Sequence, residues 1–95
     1  MNLDHLHDQL NPANLRMLQA IADHGSFAAA ARELDLVPSA LSYRVRQLED
    51  ALDVLLFNRQ GRRAIPTAAG LELLQEGARL LTETGRIAQR VRRIA

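Results

Sequence analysis

The chain has no cysteine, no lysine and no tryptophan, and its 95 residues include only three aromatics, Phe27, Tyr43 and Phe57. Without cysteine there is no disulfide framework, no thiolate zinc site and no thiol nucleophile, an absence in keeping with a reducing, cytoplasmic setting. So few aromatics leave a core of Leu, Ile, Val and Ala, which suits packed helices better than a β-sandwich. No apolar run approaches the roughly 20 residues needed to span a bilayer. The first residues carry Asp4 and Asp8 but no basic cluster, so a secretory signal is not expected there. His5 and His7 beside Asp4 and Asp8 have no later histidine beyond His24 to complete a ligand set, and no metal is expected. There is no glycine-rich phosphate loop, and the histidines and acids show no triad-like spacing, so neither a cofactor nor an enzymatic activity is expected.

The length allows one domain, or one domain with a helical extension. A hydrophobic fraction of 47% belongs to an ordinary globular chain. The net charge of +1 conceals a strong asymmetry. Residues 1–53 hold four arginines against eight acids, a net −4, whereas residues 54–95 hold eight arginines against three acids, a net +5. The absence of lysine is ascribed to codon usage, but the placement of the arginines is not. Arg59, Arg62 and Arg63 surround one glycine, and Arg90, Arg92 and Arg93 crowd the end of the chain. The arginine fork pairs in two places with phosphate or with a guanine edge, so such a patch permits nucleic-acid binding.

Periodicity divides the chain into helices and one hairpin. Leu3, Leu6 and Leu10 predict a short amphipathic turn or two over residues 2–10. Asn11 is a good N-cap and Pro12 a good first helical residue, since its missing N–H would be unpaired there. Leu15, Leu18, Ile21 and Ala22 form one apolar face, and Gly25 ends this helix in the left-handed region. Ser26 caps a second helix in which Phe27, Ala30, Ala31 and Leu34 face inward. Asp35-Leu36-Val37 is a short turn, and Pro38 opens a third helix running to about Leu52 with Leu41, Val45 and Leu48 in its buried stripe. Val54–Phe57 and Ala64-Ile65 read as strands flanking the polar segment 58–63, a small hairpin closed by Pro66. Thr67 caps a last helix that can reach the C-terminus. Its apolar positions cover more than one narrow stripe, so one side is expected to meet a partner helix. Leu73, Leu80, Leu81, Ile87 and Val91 are the candidate contacts, and Gly77 and Gly85 allow close approach. Because its polar positions are interspersed throughout, this helix is not a membrane anchor.

Two helices joined by a three-residue turn, followed by a basic hairpin, describe a mostly α winged helix-turn-helix: three helices, a two-stranded wing and a long dimerisation linker helix. In that arrangement the helix starting at Pro38 enters the DNA major groove and the wing follows the backbone. With Leu41 at zero, Val45 and Leu48 lie within about 40° of it on a helical wheel. Ser39, Ser42, Tyr43, Arg46 and Gln47 fall on the other side as candidate DNA contacts. Arg44 is on the flank of the buried stripe, where it pairs with an acid or braces the fold. Arg62 and Arg63 are expected at phosphate or in the minor groove. Arg59 either joins them or ties the wing to the body by an ion pair. Ser26 can cap its helix and donate to a phosphate at once.

Phe27, Ala30-Ala31, Leu34, Ala40-Leu41-Ser42, Leu48-Glu49, Leu56-Phe57-x-Arg59 and Arg62-Arg63-x-x-x-Thr67-x-x-Gly70 resemble the DNA-binding domain of LysR-type transcriptional regulators, from about Pro12 to Leu81. The resemblance implies a bacterial regulator that binds double-stranded DNA at an interrupted palindrome. It further implies a homodimer whose linker helices pair antiparallel, with a tetramer in a full-length protein. It divides the chain into an N-terminal extension (1–11), a winged helix-turn-helix (12–66) and a linker helix (67–95). A sensor domain binding a small-molecule inducer would lie outside these residues, so the chain is expected to be the DNA-binding portion of a longer regulator. Pro38 stands where such proteins commonly carry glutamine, and Tyr43 where they commonly carry arginine, which points to a different base preference. The competing expectation is a helical protein-interaction module that keeps the fold and dimerises without specific DNA affinity.

Overall fold

The computed structural model describes residues 3–95. Five helices and one hairpin follow in the order α1 (Leu3–Gln9), α2 (Pro12–His24), α3 (Phe27–Glu33), α4 (Pro38–Leu52), β1 (Phe57–Gln60), β2 (Arg63–Pro66) and α5 (Ala68–Ile94). The helix boundaries follow local chemistry. Asn11 accepts a hydrogen bond from the Asn14 N–H at 2.8 Å, and Pro12 occupies the first turn of α2. Gly25 stops α2 at φ 72°, its N–H bonded to the Ile21 carbonyl at 2.8 Å. Ser26 caps α3, its Oγ accepting from the Ala29 N–H at 3.0 Å. Asp35 turns the chain at φ 57°. Val37 then starts α4 in the extended backbone that a following proline favours, and it offers no capping side chain.

The core lies where α2, α3 and α4 cross. Met17, Leu18 and Ile21 meet Phe27, Ala30, Ala31, Leu41, Val45 and Leu48, and Leu56, Phe57 and Ala64 close it from the hairpin side. Ala30 and Ala31 have no exposed surface, so α3 sits close on its neighbours. Leu41, Val45 and Leu48 are the buried stripe expected for α4.

The hairpin differs from its expected position. The apolar run at 54–56 is not a strand, and the polar residues after Phe57 are. Asp53 ends α4 in the left-handed region at φ 57°. The Leu56 N–H then donates to Glu49 Oε2 at 2.7 Å, and the Leu56 carbonyl accepts from the Thr67 N–H at 2.9 Å. Backbone groups committed to α4 and to the start of α5 cannot join a ladder. Asn58, Arg59 and Gln60 instead pair antiparallel with Ile65, Ala64 and Arg63. The turn is therefore two residues, Gly61-Arg62, with Gly61 at φ 61° in the position that demands glycine. The Ala64 N–H also reaches the Gly25 carbonyl at 2.9 Å, fixing the wing to the end of α2.

The described segment begins and closes with a helix. In the segment 2–10, α1 spans Leu3–Gln9, and residue 2 lies outside the described residues. Leu6 is buried, Leu10 is half-buried and Leu3 is exposed; α1 packs on α4. Thr67 caps α5, its Oγ accepting from the Gly70 N–H at 3.0 Å. The first half of α5 is held by Leu73 and Leu74 against the core, and by Gln19 Nε2 donating to the Leu74 carbonyl at 2.8 Å. Every residue from Thr82 onward is exposed. No helix among the described residues is long and apolar enough to cross a membrane.

Candidate nucleic-acid interface

The candidate residues of α4 come together on its outer face. Pro38, Ser39, Tyr43 and Arg46 are exposed, and Ser42 and Gln47 are half-buried. Tyr43 and Gln47, one turn apart, meet through Gln47 Nε2 donating to Tyr43 Oη at 3.3 Å. Tyr43 is 60% exposed, an unusual position for the only tyrosine of a chain poor in aromatics.

Beside this face runs a groove between the start of α3, the start of α4 and the wing. Ser26, Arg32, Pro38, Ser42, Arg59, Arg62 and Arg63 line it together with Phe27, and no carboxylate does. None of the four arginines makes an ion pair with a described carboxylate. Four fixed positive charges in one concavity favour an anionic partner through an additive field. The capping lone pair of Ser26 is used within α3, which leaves its hydroxyl hydrogen to donate outward.

Arg59 belongs to this site by a different route from the expected ion pair. Its guanidinium carbon lies 3.7 Å from the centroid of the Phe27 ring, and its Nη2 donates to Ser42 Oγ. Phe27 in turn meets Phe57 edge to face, with ring centroids 5.8 Å apart. The wing is thus pinned to α3 and α4 by a cation–π contact and a hydrogen bond. The alternation of a strand, which puts Arg59 on the same side as the buried Phe57, is the signal in the sequence that locates it. Arg32, contributed by α3, was not among the expected residues; nothing in its local pattern distinguishes it from a solvated helical arginine.

Arg44 braces the fold, through an amide rather than an acid: its Nη2 donates to Asn14 Oδ1 at 2.9 Å. The candidate interface residues of α5 divide in two. Leu73 and Leu81 are half-buried, Leu73 against the domain's own core. Leu80, Ile87 and Val91 are 47%, 50% and 62% exposed. Together with Ile94 they continue an apolar stripe along the free half of the helix. Among the described residues, no three His, Asp or Glu side chains come together as a metal-holding group.

The profile of the bacterial regulatory helix-turn-helix proteins of the lysR family matches residues 12–71. The chain belongs to this family. It is 55% identical over 67 residues to the probable HTH-type transcriptional regulator YhaJ of Escherichia coli K12, a match covering 70% of this chain and 22% of YhaJ. It is 46% identical over 82 residues to the HTH-type transcriptional regulator PunR of the same organism, covering 86% of this chain and 26% of PunR. The chain therefore spans about a quarter or less of the curated LysR-family relatives it matches. Among solved structures, the DNA-binding domain of CbnR in complex with DNA superposes with a TM-score of 0.83 at 32% identity, covering 88% of this chain and 97% of that one. The fold is the winged helix-turn-helix of LysR-family regulators followed by a long helix, and α1 precedes the matched segment.

Proposed function

We infer that the chain is the sequence-specific DNA-binding head of a dimeric bacterial transcription regulator acting in the cytoplasm. The polar face of α4 enters the major groove, with Ser39, Ser42, Tyr43, Arg46 and Gln47 toward the base edges and Pro38 at the entry. Arg62 and Arg63 at the tip of the wing lie on the backbone or in the minor groove, and Ser26 donates to a phosphate. Residues 12–66 form the reading unit, and residues 67–95 pair with a second copy through Leu80, Leu81, Ile87 and Val91, presenting two copies of α4 to an interrupted palindrome.

The groove of Arg32, Arg59, Arg62 and Arg63 without a carboxylate, next to an uncovered polar helix face, carries this reading. Phosphate contacts supply affinity that depends on salt, and the helix supplies the choice of site. Fluorescence anisotropy with random duplex at low salt, followed by selection of bound fragments from a genomic library, tests it. The expected result is binding at micromolar protein that weakens steeply with salt, and enrichment of a two-fold symmetric motif. No binding to any duplex at micromolar protein and low salt would overturn it in favour of a protein-interaction module.

A further inference from the structure

The recognition helix is gripped on one side by Leu41, Val45 and Leu48, all apolar. Apolar contacts are non-directional, so they specify its rotation about its own axis less sharply than hydrogen bonds with defined geometry do. That rotation matters at the far side. Side-chain tips lie about 5–6 Å from a helix axis, so a turn of about 10° moves them by about 1 Å. Such a shift is enough to spoil hydrogen bonds to base edges, whose length tolerance is a few tenths of an ångström.

Polar joints sharpen the setting of α4: Ser42 and Glu49 are tied to the wing side by Arg59 and by the Leu56 N–H, and a third joint, buried, ties the opposite flank. Asn14 is 6% exposed and is the buried polar residue of the core region. Its Oδ1 accepts from Arg44 Nη2 at 2.9 Å, and its Nδ2 donates to the Gln9 carbonyl at 2.6 Å. The amide has one sense only, because flipping it would set NH2 against a guanidinium and oxygen against a carbonyl. Arg44 lies between Ser42 and Arg46 on α4, while Gln9 is the last residue of α1. Asn11 closes the same corner, its Nδ2 donating to the Asp8 carbonyl at 2.7 Å. A seven-residue helix has no stability of its own in water. Packing on α4, with Leu6 the buried residue of α1, and this corner both hold α1 against the head.

We propose that α1, Asn14 and Arg44 form a positioning brace that tunes the rotation of α4, so that the N-terminal helix contributes to discrimination between DNA sites without touching DNA. The brace rests on the reading of α4 as the DNA reader. Two uncharged changes separate this role from general affinity. Leu6→Gln unseats α1 and lies outside the cluster built by α2, α3, α4 and the wing, so the head keeps its core. Asn14→Leu removes the joint itself, keeping the branch at Cγ while taking away donor and acceptor. Affinities for the selected site and for random duplex are measured on native protein and both variants, with far-UV circular dichroism confirming the fold at the assay temperature.

The expected result is a ratio of specific to random affinity that falls about tenfold, the loss of roughly one well-placed base contact, with random-duplex affinity within about twofold of native because no phosphate-contacting charge has changed. If Asn14→Leu does not fold, Leu6→Gln alone decides. A folded Leu6→Gln variant with the native ratio overturns the brace and leaves the DNA-binding reading intact. Native protein that binds no duplex overturns the DNA-binding reading itself.

Discussion

Replacing Gly70 with alanine puts the joint between reading head and linker helix to a severe test. A Cβ at Gly70 would stand 2.0 Å from the Leu56 carbonyl oxygen and 3.0 Å from its carbonyl carbon. Carbon and carbonyl oxygen in ordinary contact stand about 3.3–3.6 Å apart, so α5 and the segment 54–56 must part by roughly 1.3 Å. Backbone is on both sides, so no side chain can swing away. The same movement strains two hydrogen bonds that tie these segments: Thr67 N–H to the Leu56 carbonyl at 2.9 Å and Thr67 Oγ1 to the Leu55 carbonyl at 2.6 Å. Overpacking costs about 1–3 kcal/mol, and two lost hydrogen bonds about 1 kcal/mol each. Alanine gains about 1 kcal/mol over glycine as a helix former. The net is a destabilisation of about 2–4 kcal/mol, which in a domain of this size lowers Tm by at least about 8 °C. Thermal unfolding followed by circular dichroism reads it directly. Gly85→Ala is the control: nothing lies within 4 Å of its Cβ, so only the propensity gain of about 1 kcal/mol remains and helicity should rise or hold. A Gly70→Ala protein as stable as the native one would refute the steric reasoning.

Arg62→Ala is expected to weaken binding alike on all duplexes and to reduce the salt slope by about one, whereas Tyr43→Ala changes which sites are preferred; equal losses for Tyr43→Ala on specific and random duplex would contradict that division of labour. Changing both Leu80 and Ile87 to Glu should give monomers by sedimentation, and an unchanged dimer would place the interface elsewhere. In the free half of α5, the Arg86 side chain hydrogen-bonds the Glu83 carboxylate and holds its pKa below the usual value of 4.5. A lowered folded pKa means that the pair's contribution is complete above pH 4.5 and is lost as pH falls through the lowered value. Helicity should therefore hold from pH 7 to 5 and decline only below pH 4.5, and Glu83→Gln should remove this pair's share of the decline in circular dichroism.

Most of the local chemistry was legible. Asn11, Pro12, Gly25, Ser26 and Thr67 mark helix ends because each satisfies or omits a backbone group within a few residues of itself. The buried stripe of α4 was legible for the same reason, since a period of 3.6 needs no knowledge of the partner. Nonlocal hydrogen bonds were not. The strand moved from 54–57 to Phe57–Gln60 because Glu49 and Thr67 claim the Leu56 backbone from elements on either side, and no propensity encodes that competition. Arg59 meets Ser42 seventeen residues away, and Arg44 meets Asn14 thirty away; spacing placed both arginines on the right surfaces without naming their partners. Gly70 could be read from sequence as a motif residue, but only the 2.0 Å approach explains why no other side chain fits there.

Dimethyl sulfate protection on the selected duplex tests the placement of α4 most directly, because it methylates guanine N7 in the major groove and adenine N3 in the minor groove. Bound protein is expected to protect guanine N7 in both halves of a symmetric site, and Tyr43→Ala or Arg46→Ala should lift that protection. Bound protein that leaves every guanine N7 reactive, or shields adenine N3 alone, would contradict a major-groove role for the helix that begins at Pro38.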